Sequence, residues 1–175
     1  MKRKQARGGF FAALKTEPYQ PQGILLGQES DDSCVAACCR MLLLDQLPEA
    51  GHDLYYAESA LRAAFETDED GSTIALIPAV LREYGASAPY VYREQMTEME
   101  LRRAVRRHPL IALVPARRNV DYHALIVDKV EAEMVAIRDP LPTGEGTAYR
   151  LPLRLFLLRW FDRSGECGLA VTVLE

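Results

Sequence analysis

Cys34 stands where a polar loop, Gly27-Gln28-Glu29-Ser30-Asp31-Asp32-Ser33, gives way to an apolar run from Val35 to Leu44. Far downstream lie His123, within Tyr122-His123-Ala124-Leu125-Ile126-Val127, and Asp139, within Ile137-Arg138-Asp139-Pro140. A thiol, an imidazole and a carboxylate are the parts of nucleophilic acyl transfer: the base takes the thiol proton and the acid orients the base. Gln28, six positions before the cysteine, adds a side-chain N–H for a developing oxyanion, with the backbone N–H of Cys34 as second donor.

Such chemistry needs a rigid mount. Asp31, Asp32 and Ser33 are N-cap residue types directly before the apolar run, so a helix over 33–45 is expected with Cys34 in its first turn. Unpaired N–H groups and the helix dipole favour negative charge there. A free thiol ionises at about 8.5, and a neighbouring imidazolium lowers that value. Val35, Ala36, Ala37, Met41, Leu42 and Leu43 make the helix apolar nearly all round, the pattern of a helix inside a domain.

The base and acid fall in two apolar, β-branched runs, 121–130 and 133–139, around Glu131-Ala132-Glu133. These predict a hairpin. A turn near residue 131 would set His123 directly opposite Asp139, with Cβ atoms about 4.5–5.5 Å apart. Alternation puts the rival acid Asp128 on the opposite face. Asp121 shares the face of His123 but lies on the same strand, at a poorer angle.

The order Gln28, Cys34, His123, Asp139-Pro140 resembles the bacteriocin-processing, or double-glycine, peptidase family of papain-like cysteine peptidases, over roughly residues 24–175. The resemblance implies an α+β, papain-like two-lobed fold. Its N-terminal helical lobe carries the cysteine helix, and its C-terminal antiparallel β lobe carries His and Asp. It implies that Gln28 builds the oxyanion hole, Cys34 attacks, His123 is the base and Asp139 orients it. The family usually has aspartate before the nucleophile and glycine after it, where this chain has Ser33 and Val35. Val35 is expected to narrow the cleft beside the sulfur, and Tyr122 adjoins the base; both are candidate substrate contacts. No cofactor is implied. Cys38 and Cys39 read as packing residues, because no further ligand cluster for a metal lies nearby.

A chain of 175 residues suits one domain with one substantial core. A net charge of −4 argues against nucleic acid as the main partner. Three of the four cysteines crowd into one helix, poorly placed to bridge each other, so a reducing, cytoplasmic compartment is expected. No apolar window reaches the roughly 18 residues of a membrane span. Residues 1–14 are basic and then briefly apolar until Lys15, too short for a signal peptide. Residues 1–23 therefore read as a basic extension, a solvated tail and then a segment packing on the domain, ahead of a peptidase domain over 24–175. Gly8-Gly9 is also the dipeptide after which the resembled family cuts, which makes self-trimming the competing reading.

Further helices are expected over 55–66, 73–84, 97–107 and 153–161, and strands over 87–92, 110–115, 147–151 and 168–174. Thr97 followed by Glu100 predicts a capping box. The acidic stretch from Thr67 to Ser72 separates the first two of these helices. His52 and His108 adjoin Gly51 and Pro109 and read as loop residues. Arg102, Arg103, Arg106 and Arg107 form a solvated helix face, with Arg117 and Arg118 in the loop before the histidine strand.

These residues point to a monomeric cysteine peptidase acting on a protein or peptide with a Gly-Gly-like site. The sequence shows no transporter domain of the kind that export-linked members of the resembled family carry. A bacterial antagonistic toxin, delivered into a target cell and held by an immunity protein, therefore stands beside leader-peptide processing. Two alternatives stay open: a glutamine deamidase or transferase on the same triad, and a glycine-tail binding module that does not cut.

Overall fold

The computed structural model describes residues 8–46, 57–68, 71–116, 122–161 and 165–174. The expectations for residues 1–7 and for His52, Arg117, Arg118 and Asp121 lie outside the described residues. Among the described residues, seven strands form one antiparallel sheet: β1 (Glu17–Pro18), β2 (Tyr90–Met96), β3 (Leu110–Pro115), β4 (Tyr122–Glu131), β5 (Met134–Asp139), β6 (Thr147–Pro152) and β7 (Gly168–Val173). Their spatial order is β1-β6-β5-β4-β3-β7-β2. The helices are α1 (Cys34–Gln46), α2 (Glu58–Ala64), α3 (Ile77–Glu83), α4 (Glu98–Ala104) and α5 (Leu153–Trp160).

Both faces of the sheet are covered, which explains why β3 and most of β4 are unbroken apolar runs. On one face, Ile111, Leu113, Ala124 and Ile126 pack against the buried residues of α1, Leu61 of α2 and Leu81 of α3. On the other, Ala112, Val114, Leu125 and Val127 meet Leu101 of α4, and Phe156 and Trp160 of α5. The two-residue alternation along β4 thus divides its side chains between two cores. The fold is α+β, with its first three helices on one side of an antiparallel sheet.

Local chemistry accounts for the element ends. Thr97 and Glu100 form the expected capping box, Thr97 N–H donating to Glu100 Oε2 at 2.8 Å. Pro78 in its first turn opens α3, so the expected 73–84 helix divides into a 3₁₀ turn, Ile74–Leu76, and α3. The 87–92 strand lies further on, as β2, where it pairs with β7.

The β4–β5 hairpin differs from expectation in a way that matters. Its turn is Ala132-Glu133, with φ of 47° and 61°, the pair of positive φ values that a tight type I′ connection demands. A bulge then shifts the ladder between Val127 and Lys129, leaving Ile126 opposite Arg138. Continued by one residue, that register sets Asp139 opposite Leu125. The direct opposition of His123 and Asp139 is therefore corrected to a diagonal one, because the turn falls later than residue 131 and the bulge absorbs only part of the offset.

The N-terminal extension packs on the domain from Gly8 onward. Phe11 is 2% exposed within the second core, and β1 pairs with β6. Among the described residues, no helix is long and apolar enough to cross a membrane.

Candidate active site

Ser33 sets the start of α1: its carbonyl accepts from Ala37 N–H at 3.0 Å. The Ser33 hydroxyl accepts from Ser30 N–H (3.0 Å) and donates to Ser30 O (2.9 Å), closing the loop into a compact turn. Cys34 is therefore the first residue of the helix. The residue is 9% exposed, and its sulfur accepts the backbone N–H of Ala124 in β4 at 3.4 Å. That contact spans ninety positions of chain and joins the helix to the strand that carries the imidazole.

His123 Nε2 lies 2.8 Å from Asp139 Oδ1. Asp139 is fully buried and is ringed by donors. Oδ1 also accepts Leu141 N–H (3.0 Å), while Oδ2 accepts Phe10 N–H (2.6 Å) and the Tyr149 hydroxyl (2.7 Å). A carboxylate offers about four acceptor positions, and all are filled. An acid so held stays ionised, so Nε2 carries the proton, and Nδ1 is the nitrogen left for the sulfur.

The charges follow from this geometry. Burial pushes the Cys34 thiol up, but the hydrogen bond and charge of His123, with the N–H groups of Ala124 and Val35, bring it below its ordinary value. Burial opposes protonation of His123, yet Asp139 and Cys34 outweigh it and raise the imidazole to about 10. Burial likewise disfavours the Asp139 anion, and the bonds from His123, Tyr149 and Leu141 hold its carboxyl below the usual range. Each group favours the charged form of its neighbours. The arrangement favours a thiolate–imidazolium pair backed by a buried carboxylate.

The other expected residues fall into place unevenly. Gln28 is 1% exposed and bound to the loop that follows β5: its N–H donates to Pro140 O (2.9 Å) and its carbonyl accepts Gly144 N–H (2.8 Å). Its side-chain Nε2 donates to Ser30 O at 2.7 Å, and Oε1 is buried without a partner. Val35 is only 5% exposed and packs in the core. It supports α1 from inside and offers a substrate little surface. Tyr122 is 37% exposed at the head of β4. Asp128 lies on the opposite face from His123, as expected, and pairs with Arg138 at 2.8 Å. Cys38 and Cys39 are fully buried, and burial pushes both thiols up. His108 lies in the bend before β3, and no group of three metal-ligating side chains occurs among the described residues.

Three groups at the site escape a linear reading. Tyr149 on β6 and Phe10 before β1 reach Asp139 across strand pairings that spacing does not disclose. Their only signal is an aromatic residue on an alternating strand, and a Phe-Phe pair in an otherwise basic extension. Glu58, the first residue of α2, accepts Glu29 N–H at 2.7 Å and is 1% exposed. A buried carboxylate at a helix start thus ties α2 to the loop bearing Gln28.

Comparison with solved structures gives the same architecture. The peptidase domain of Streptococcus ComA, a bi-functional ABC transporter involved in a quorum-sensing pathway, superposes with a TM-score of 0.62 at 20% identity, over 86% of this chain and 98% of that one. A double glycine motif protease from an AMS/PCAT transporter, solved with the leader peptide, has a TM-score of 0.61 at 14% identity, over 92% and 100%. A putative C39-like peptidase from Bacillus anthracis has a TM-score of 0.57 at 14% identity, over 89% and 99%. The fold is thus the papain-like one of these peptidase domains. No curated protein matches the chain. The Peptidase C39 family matches residues 24–156. Because that match spans well over half of the sequence, from before Gln28 to beyond Asp139, the chain belongs to the Peptidase C39 family and is a cysteine peptidase.

Proposed function

We propose that Cys34 is the nucleophile, His123 the general base and acid, and Asp139 the residue that orients it, in the hydrolysis of peptide bonds after a small pair such as Gly-Gly. The observation that carries this reading is the Nε2–Oδ1 bond of 2.8 Å, which leaves the second ring nitrogen for a thiol that is already below its ordinary pKa. The Cys34 thiolate attacks the carbonyl carbon, and the C–N bond breaks as His123 passes its proton to the leaving amine. Water, deprotonated by His123, then releases the acyl group and restores the thiol. The Cys34 N–H and the free N–H of the Gln28 amide are the donors for the oxyanion.

The similarity to a double glycine motif protease solved with its leader peptide supports a peptide substrate cut after Gly-Gly, and so favours leader processing. The crowding of three cysteines into one helix is the ground for placing the enzyme in a reducing compartment, and a monomer is the oligomeric state that goes with this reading. The test is intact-mass analysis of a leader-type peptide incubated with the protein. Two fragments that meet after Gly-Gly are expected, with none from Cys34→Ala. A mass change without fragmentation would assign deamidation instead, and capture without cleavage a binding module. The antagonistic-toxin reading, with an immunity protein as its inhibitor, requires growth arrest of a bacterial host by the wild type alone; equal growth with Cys34→Ala eliminates it.

A further inference from the structure

We propose that the N-terminal strap, residues 8–14, is a working part of the active site and that Phe10 is a positioning residue for the His123–Asp139 pair. This rests on the reading of Cys34 and His123 as nucleophile and base.

Two contacts come from the one residue. The Phe10 N–H donates to Asp139 Oδ2 at 2.6 Å, and its ring stacks on the imidazole of His123, with centroids 5.1 Å apart and planes 12° apart. The strap is anchored so that these contacts persist. Phe11 is buried against Phe156 and Tyr149, at 6.0 and 6.5 Å between centroids. Turn bonds from Ala12 N–H to Gly9 O (2.9 Å) and from Leu14 N–H to Phe11 O (2.8 Å) hold its shape.

Gly9 is a condition of this approach. A Cβ there would lie 2.6 Å from both Asp139 Oδ2 and Tyr149 Cε1, and 2.8 Å from Thr147 Cγ2. Close passage behind the acid therefore accounts for this glycine of the Gly8-Gly9 pair. It also sets the pair beside the carboxylate, on the Tyr149 side of Asp139.

The chemistry follows. A flat ring over the imidazole blocks its rotation and keeps water from the Nε2–Oδ1 bond. The electron-rich face of a phenyl ring also favours a cation stacked on it. The charged or titratable groups that reach His123 are Cys34 from α1 and Asp139 from β5, with Tyr149 of β6 acting through Asp139. Phe10 adds an uncharged wall to that set. It contributes by holding the imidazolium in the attitude that supports the thiolate.

The experiment measures Cys34 alkylation by iodoacetamide against pH, which needs no substrate, alongside peptide turnover, in full-length Phe10→Ala, Phe10→Leu and Phe10→Trp. Loss of the stack is expected to move the alkaline limb down by about one pH unit and to slow turnover about tenfold, with KM little changed. Phe10→Trp should restore both. Phe10→Leu keeps apolar bulk and the N–H but lacks a ring face, so it should show the shifted limb even if Phe10→Ala folds poorly. Profiles of Phe10→Leu that superimpose on the wild type overturn the proposal. A wild-type profile with the limb of an ordinary thiol overturns the nucleophile–base reading itself, and the role of Phe10 with it.

Discussion

Asp139 meets His123 on the diagonal of a bulged hairpin, its Oδ1 2.8 Å from Nε2 while the ladder sets Arg138 opposite Ile126. A diagonal reach leaves the carboxylate room for partners on its other side, and Phe10, Leu141 and Tyr149 fill it. Asp139→Ala should therefore lose on two counts. Turnover should fall at least about a hundredfold, since the imidazole loses its tautomer and orientation. Stability should fall by about 2 kcal/mol, because buried donors lose their acceptor. Parallel kinetics and urea denaturation check this; full stability with full activity would refute the arrangement.

The pH dependence can be signed. The Cys34 pKa lies below its ordinary value and that of His123 is raised from 6.5 to about 10. The ion pair therefore exists between the depressed thiol value and about 10. The His123 contribution to stability is complete below 6.5 and is lost as pH rises through about 10. The Cys34 contribution is complete above the ordinary thiol value and is lost as pH falls through the depressed one. Turnover should be bell-shaped across that window, and His123→Ala should return Cys34 alkylation to the limb of an ordinary thiol.

Tyr149 is held well above its ordinary pKa by burial and by the charge of Asp139, so it donates to the acid at every working pH. Tyr149→Phe should cost about 1–2 kcal/mol and reduce turnover several-fold without altering KM. Denaturation of the variant, compared with Asp139→Ala and the double variant in a cycle, should show strong coupling between the two. Additive losses would mean the bond carries no weight.

Arg138 is fully buried and pairs with Asp45 and Asp128, both at 2.8 Å, while its Nη1 donates to Ile24 O at 2.6 Å. It clamps the end of α1 to the bulge in β4, one residue from Asp139. Arg138→Met leaves two carboxylates facing each other without a cation and should destabilise the fold by about 3–5 kcal/mol. Thermal denaturation reads this directly. A loss below about 1 kcal/mol would show that the pair contributes only what an exposed bridge does.

The Ala132-Glu133 turn carries two positive φ values on residues other than glycine. Left-handed backbone of this kind costs roughly 1–2 kcal/mol at a residue with a Cβ. Ala132→Gly should therefore raise stability by about 0.5–1 kcal/mol with unchanged activity. A lowered melting temperature would show that the turn is held in place by something other than its backbone preference.

Features that depend only on neighbours along the chain are written in its residue order. Ser33 before an apolar run placed Cys34 at a helix start, Thr97 with Glu100 placed a cap, and short apolar, β-branched runs placed the strands of His123 and Asp139. Caps and periodicities act over a few residues, so they are legible without the fold. Tertiary structure decided how those pieces meet. The bulge at Asp128 set the diagonal contact, the pairing of β6 with β5 brought Tyr149 to the acid, and the docking of Phe11 carried Phe10 onto the imidazole. Those are contacts between residues far apart in the chain, fixed by core packing and strand register, and no local spacing encodes them.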